Sequence, residues 1–174
     1  MDSLVIGGAA LVLILMARKR ASAAPNGDPN FALAVRTAQD VGIDPAILLG
    51  IIKVESNWNP NATNLVGTDA SRGGAYGLVQ MTLRTARGFD PDVTGEQLLD
   101  PATNLRFAGL LLAEIRQRFG ADWRDVAAAW NSGKAFDYAP EVTRYKYVPK
   151  VLAAANAYAT DLTLDLGEGR EAQG

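Results

Sequence analysis

The sequence predicts a compact, mainly helical domain of the α+β kind, with a long loop or small hairpin at one end and a separate membrane-spanning helix ahead of it. Three observations carry this. The pairs Asp28-Pro29, Asp44-Pro45 and Asp100-Pro101 each join an N-cap residue to a proline at the first helical position, so each opens a helix. The stretch from Asn57 to Tyr76 holds Pro60, Gly67, Gly73, Gly74 and four asparagines, and breaks the helical pattern. An unbroken apolar and small-residue run from Leu4 to Ala17 is unlike everything after it.

The elements follow in chain order. Leu4 to Ala17 would form about 21 Å of helix, short of the roughly 30 Å hydrocarbon core of a bilayer. Arg18, Lys19 and Arg20 follow it and extend its reach by snorkelling. A secretory signal carries its positive charge before the apolar run, whereas here Asp2 and the amino terminus are the only early charges. Residues 1–20 therefore read first as an uncleaved transmembrane anchor. A signal peptide cut near Ala21-Ser22-Ala23, or a buried or oligomerising helix, are the alternatives. Residues 21–28 form a small, polar linker. The domain occupies 29–160, and 161–174 reads as a flexible acidic tail.

Within the domain, helices are expected from Pro29 to about Val41 and from Ala46 to Ser56. The long loop follows, a length often associated with function. A further helix is expected over Gly77 to Arg87, and a short one after Thr94, where T-G-E-Q is a capping-box pattern. Pro101 opens a long helix to about Phe119, ended by Gly120. Asp122 caps a helix to about Trp130. Pro140 precedes a last helix to about Thr160, with Pro149 as a candidate kink.

Composition removes most chemistries. The chain of 174 residues has no histidine and no cysteine, with 17 basic and 19 acidic side chains for a net charge of −2. Disulfides, thiolate or imidazole metal sites and histidine-based nucleophilic catalysis are excluded. No metal site and no cofactor is expected. The charge balance argues against nucleic acid as a partner. Carboxylate, hydroxyl, amide and amine remain.

Among the carboxylates, Glu55 has an unusual position. It lies four, three and seven residues after Ile51, Ile52 and Leu48, so it continues their apolar stripe, while Lys53 points elsewhere. A carboxyl placed there is desolvated, its pKa rises, and it keeps a proton near neutral pH as a general acid requires. The Asn- and Gly-rich loop begins directly after it. The bland alternative is a half-exposed helix-end glutamate with no role.

Five segments change that balance. V-E-S-N-W-N-P-N-A (Val54 to Ala62), G-L-V-Q-M with Thr85-Ala86 (from Gly77), D-P-A-T-N-L (from Asp100), A-A-W-N-S-G (from Ala128) and Y-V-P-K-V-L (from Tyr147) occur in this order. Together the chain resembles the lytic transglycosylase domain, related to goose-type lysozyme, over about Phe31 to Tyr158. The resemblance implies a lysozyme-like fold with Glu55 as the catalytic acid. It makes Gln80, Ser56, Asn131, Tyr147, Tyr76 and Asn64 candidates for substrate binding or for shaping the site. Gln80, on its expected helix, is a candidate to bind a sugar or hold the Glu55 carboxyl. Tyr76 and Trp58 are candidate stacking platforms for sugar rings. Each also has a plain structural reading, as core, cap or turn.

The sequence departs from the family pattern. Leu83 replaces a proline, Trp130 replaces a tyrosine, and Asn64 stands where a serine is frequent. The glutamate usual before Y-V has no clear counterpart, Glu141 lying too early.

The resemblance implies a one-carboxylate cleavage of peptidoglycan glycan strands between N-acetylmuramic acid and N-acetylglucosamine, giving a 1,6-anhydro sugar. A hydrolytic muramidase using Asp69 as second carboxylate, and a non-catalytic wall-binding or structural module, are the rivals. Expected partners are peptidoglycan, a membrane through the N-terminal helix, and virion or secretion-complex proteins. The positive-inside tendency would put the domain on the cytoplasmic face. That suits a membrane inside a phage particle better than a simple bacterial inner membrane, and points to wall opening during genome entry.

Overall fold

The computed structural model describes residues 28–171, apart from the side chains of Thr68 and of 163–171. The anchor expected at 1–20 and nearly all of the linker lie outside the described residues. Among the described residues no helix is long and apolar enough to cross a membrane.

All three Asp-Pro signals open helices. Helix α1 (Pro29–Asp40) is capped by Asp28, whose carboxylate accepts from the Asn30 N–H. Helix α2 (Pro45–Glu55) is capped likewise by Asp44 onto the Ala46 N–H. The long helix, reached after the loop region, spans Pro101–Phe119 with Asp100 accepting from the Thr103 N–H, and ends at Gly120 with φ 84°. These caps satisfy amides that no helical carbonyl can reach.

The region between is more ordered than a loop. Strand β1 (Thr63–Asn64), a short helix α3 (Gly67–Ser71), β2 (Ala75–Tyr76) and β3 (Met81–Thr82) follow one another. The strands form one antiparallel sheet in the order β1-β2-β3, with Asn64 opposite Ala75 and Tyr76 opposite Met81.

The helix expected over Gly77 to Arg87 is not formed as such. Gly77 and Gln80 both take left-handed φ, 75° and 49°, which a right-handed helix excludes. They make a turn between β2 and β3 instead. Helix α4 (Leu83–Phe89) starts only after it, with the Thr82 hydroxyl accepting from the Thr85 N–H.

The Thr94 capping box is present. The Thr94 hydroxyl accepts from the Gln97 N–H and the Gln97 side chain accepts from the Thr94 N–H, opening a 3-10 turn at Gln97–Leu99. The Pro101–Phe119 helix is α5, and α6 (Trp123–Ser132) follows, capped by Asp122. A 3-10 turn at Phe136–Tyr138 leads to a wide π turn at Thr143–Tyr147. This turn precedes Pro149, whose ring and missing N–H disfavour a regular α-helical register there. Helix α7 (Val148–Glu171) then runs on beyond the Thr160 expected as its end.

The core is built around α2. Ile47, Leu48, Leu49, Ile51 and Ile52 are all fully buried, which a helix apolar on every side demands. Each such side chain contributes roughly 1.5–3 kcal/mol of burial. Its closest partner is α7. Gly50 permits their approach: a Cβ there would lie 2.8 Å from the Val151 carbonyl oxygen and 2.9 Å from the Ala155 nitrogen. The end of α2 is thereby held against the start of α7.

Candidate active site

Helix α2 ends at Glu55. Ser56 caps it, its N–H bonding back to Ile52 and Lys53, and the chain then turns through Asn57 and Trp58 at φ 52° and 67°. A tryptophan in that conformation is strained, and such strain persists only where packing enforces it. Here the Trp58 indole N–H donates to the Tyr158 hydroxyl at 2.8 Å, and its ring stacks on Phe31 at 5.9 Å. Lys53 donates to the Asn57 side chain at 2.6 Å, on the outer side of the same turn. The sharp exit leaves Glu55 at the edge of a cavity.

That cavity has a volume of about 210 Å³. It lies below the roughly 300–1,000 Å³ of pockets that enclose whole drug-sized ligands. Glu55 forms its wall with Asn64, Asp69, Arg72, Gln80, Thr82, Trp130 and Asn131, a largely polar set from five elements and the β2–β3 turn.

The opposite wall is the small sheet and its turn. The Gln80 side-chain amide donates to the carbonyls of Ala62 and Gly77, both at 3.0 Å, which fixes its left-handed backbone. Behind it sits the fully buried Asn104 of α5. Its Oδ1 accepts from the Val79 N–H at 3.0 Å, and its Nδ2 donates to the carbonyls of Tyr76 and Leu98 at 2.9 Å each. One buried amide thus satisfies three backbone groups of an irregular segment. Gly77 has no substitute in this packing, since a Cβ would lie 2.5 Å from both Asn104 Nδ2 and the Leu98 carbonyl oxygen.

The electrostatics centre on Glu55, whose pKa is pushed up to about 7. Burial is the largest cause, because the charged form loses its hydration. A hydrogen bond from Tyr147 opposes the rise, the negative charge of Asp69 adds to it, and a hydrogen bond from the Trp130 indole opposes it again. The Tyr147 hydroxyl donates to Glu55 Oε1 at 2.5 Å. Burial, then the charge and hydrogen bond of Glu55, hold the Tyr147 phenol well above its ordinary range, so it remains a donor. Among the described residues no group of three or more Asp or Glu is placed to hold a metal ion.

The residues singled out from sequence divide clearly. Glu55, Gln80, Asn64 and Asn131 share the cavity, and Tyr147 touches the acid. Asn131 accepts from the buried Thr143 hydroxyl at 2.7 Å, tying α6 to the π turn. The Asn64 amide donates to Asp69 Oδ2 at 2.7 Å.

Several expectations are corrected. Gln80 is in a turn, not on a helix, and its amide holds backbone carbonyls rather than the Glu55 carboxyl. Ser56 turns its hydroxyl back to the Ile52 carbonyl and does not line the cavity. Tyr76 is also absent from the cavity wall: its hydroxyl donates to the Gly73 carbonyl at 3.1 Å and its ring packs where a Gly95 side chain would be. Trp58 is 7% exposed and belongs to the core, not to a sugar platform.

Trp130, Arg72 and Thr82 were not singled out as site residues. Trp130 supplies an N–H donor where the family pattern has a phenol. The clue was its place in A-A-W-N-S-G. Arg72 and Thr82 left no comparable clue, because only the folded sheet brings them beside Glu55.

Known proteins share the sequence pattern and the fold. Residues 32–159 match the model of the Transglycosylase SLT domain. The membrane-bound lytic murein transglycosylase C of Actinobacillus pleuropneumoniae is 33% identical over 125 residues, covering 61% of this chain and 32% of that protein. The soluble lytic murein transglycosylase of Salmonella typhimurium is 32% identical over 107 residues, covering 58% and 16%. The chain thus spans about a third or less of the length of these relatives.

Among solved structures, the 70 kDa soluble lytic transglycosylase SLT70 of Escherichia coli aligns with a TM-score of 0.62 at 26% identity, over 75% of this chain and 24% of that one. An inactive mutant of the lytic transglycosylase Slt of Pseudomonas aeruginosa aligns at 0.64 and 23%, over 88% and 30%, which shows the shared fold. With the family model spanning Glu55, Trp130 and Tyr147, this chain belongs to the transglycosylase SLT domain family.

Proposed function

We propose that the protein is a peptidoglycan lytic transglycosylase that cleaves the β-1,4 bond between N-acetylmuramic acid and N-acetylglucosamine. The observation that carries this is the partly buried Glu55 at the edge of a polar cavity, its pKa raised to about 7 and its carboxyl held by Tyr147. A group with its pKa near the working pH serves as acid and then as base.

In the first step the Glu55 proton passes to the glycosidic oxygen and the bond to the anomeric carbon breaks. The sugar's own N-acetyl group stabilises the cation that develops. The Glu55 carboxylate, now charged, is steadied by the Tyr147 and Trp130 donors. It next takes the proton from the 6-hydroxyl of the muramic sugar as that oxygen attacks the anomeric carbon. Glu55 is regenerated as the acid, and no water is consumed. Zymography on purified sacculi with mass analysis tests this. Wild type should release 1,6-anhydro products and Glu55→Gln should release none; products carrying an added water would refute it.

One observation favours a second reading. Asp69 lies in the same cavity, its charge acts on Glu55, and Asn64 occupies only its Oδ2. Two carboxylates that bracket a cavity are the usual equipment of a hydrolase, the second one positioning water. Hydrolysed muramic ends that disappear in Asp69→Asn would establish this alternative.

The setting proposed is local wall opening by a membrane-tethered enzyme, with Leu4 to Ala17 as the tether and phage genome entry as the first candidate process. The apolar run and the basic cluster after it support the tether. Membrane flotation should retain the full chain and lose a chain starting at Ala21; equal behaviour would remove the tether.

A further inference from the structure

Three side-chain amides line the catalytic cavity, those of Asn64, Gln80 and Asn131. Two of them have engaged nitrogens. The Gln80 amide donates to the carbonyls of Ala62 and Gly77, and the Asn64 amide donates to Asp69 Oδ2. In Asn131 the arrangement is reversed. Its oxygen is the engaged atom, accepting from the Thr143 hydroxyl at 2.7 Å. Among the described residues nothing accepts from its nitrogen. The oxygen and nitrogen of a planar amide point apart, so tying Oδ1 to the turn behind leaves Nδ2 toward the cavity.

The Thr143 bond stands out in this chain. The hydroxyls of Thr37, Ser132 and Thr160 turn back to the carbonyl four residues earlier, as helical hydroxyls commonly do. Thr143, buried at the start of the π turn, instead crosses to a side chain 12 positions away on α6. Widened turns of this kind are frequent at functional sites. The same turn ends at Tyr147, which donates to Glu55. One short element thus holds an amide with its first residue and the acid with its last.

We propose that Thr143 is a positioning residue: its hydroxyl fixes the Asn131 side chain with Nδ2 toward the cavity, where it donates to an oxygen of the bound sugar. The inference rests on the function proposed above. Thr143 itself touches no substrate and acts through Asn131. Without its hydroxyl the amide is free to turn over, and the cavity then presents an oxygen where the sugar oxygen needs a donor. The cost falls on binding of the glycan, while the Tyr147 end of the turn keeps its hold on Glu55.

Two measurements test it. In the first, the full-chain Glu55→Gln protein is titrated calorimetrically with a soluble tetrasaccharide of alternating N-acetylglucosamine and N-acetylmuramic acid. Adding Thr143→Val, which keeps the shape but not the hydroxyl, should raise Kd about five- to tenfold, as loss of one hydrogen bond does. Thr143→Ser should stay within about twofold of the parent. Asn131→Ala should weaken binding at least as much, and Thr143→Val added to it should change nothing further, because the two residues act as one unit. No binding to the parent, unchanged Kd in Thr143→Val, no rescue by serine, or additive losses in the double variant would overturn the proposal. This arm needs no turnover, so it stands apart from any failure of the transglycosylase reading. In the second arm, with Glu55 in place, Thr143→Val should raise KM about five- to tenfold and change kcat less than about twofold. The alkaline limb of its kcat/KM profile should not move. A displaced limb would mean that the whole turn has shifted and carried Tyr147 with it, and would count against a specific role for Thr143.

Discussion

Replacing Glu55 by glutamine should stabilise the fold, and should do so only above a definite pH. In the unfolded chain the carboxyl titrates near its ordinary value of 4.5, whereas in the folded protein it titrates at about 7. The folded state thus holds a proton that the unfolded state releases. Below pH 4.5 both states are protonated and the group has no effect on stability. As pH rises toward 7 the unfolded state gains from ionisation and the folded state does not, so stability falls. Above pH 7 the loss levels off. At about 1.4 kcal/mol per pH unit the full interval is about 3 kcal/mol, and partial solvent access reduces this to about 1–3 kcal/mol. Glutamine has the same shape without the titration. Thermal unfolding of both proteins at steps from pH 4 to pH 9 should show equal midpoints at the acid end. A gain on the order of 5 °C for Glu55→Gln should appear at the alkaline end. A difference that stays constant across the range, or a loss at pH 8, would refute the claim that burial of this carboxyl governs its chemistry.

Three further outcomes follow from the same geometry. Tyr147→Phe removes a hydrogen bond that lowers the Glu55 pKa, so the alkaline limb of the kcat/KM profile should move to higher pH; kcat/KM should also fall roughly ten- to a hundredfold, read from initial rates on sacculi. Asn104→Ala strands the Val79 N–H and two carbonyls in the interior and should cost about 2–4 kcal/mol in urea unfolding, with the β2–β3 turn losing amide-exchange protection first. Gly50→Ala gains about 1 kcal/mol of helix propensity but drives a methyl into the α7 backbone. Overpacking of that kind costs about 1–3 kcal/mol, so urea unfolding should show a net loss, and activity should fall further because α2 and α7 part at the end that carries Glu55 and Tyr147.

Much of the fold was legible from local chemistry. Asp28, Asp44 and Asp100 cap their helices with groups only two or three residues away, so sequence order alone carries that information. Glu55 was legible for a similar reason, since its burial follows from Leu48, Ile51 and Ile52 one and two turns earlier. The Gly77–Gln80 turn was not, because its left-handed residues are sustained by Ala62 and Asn104, far away in the chain. Trp58 and Tyr76 carried no local sign of which way they face: Tyr158 draws the first inward, and Gly73 and Gly95 hold the second. The site residues found only in the structure, Arg72 and Thr82, share this character. They are ordinary surface side chains until the sheet pairs.

The hydrogen bond between Glu55 and Tyr147 joins residues 92 positions apart. A ribosome delivers the acid 92 residues before it delivers the phenol, and α2 has no α7 to dock against until the residues after Tyr147 have been made. A partly synthesised or proteolytically shortened chain therefore carries the reactive group without its holder and without its dry surroundings. There the carboxyl ionises as any exposed glutamate does and has no proton to give at neutral pH. The raised pKa of Glu55 therefore appears only once α7 has packed against α2.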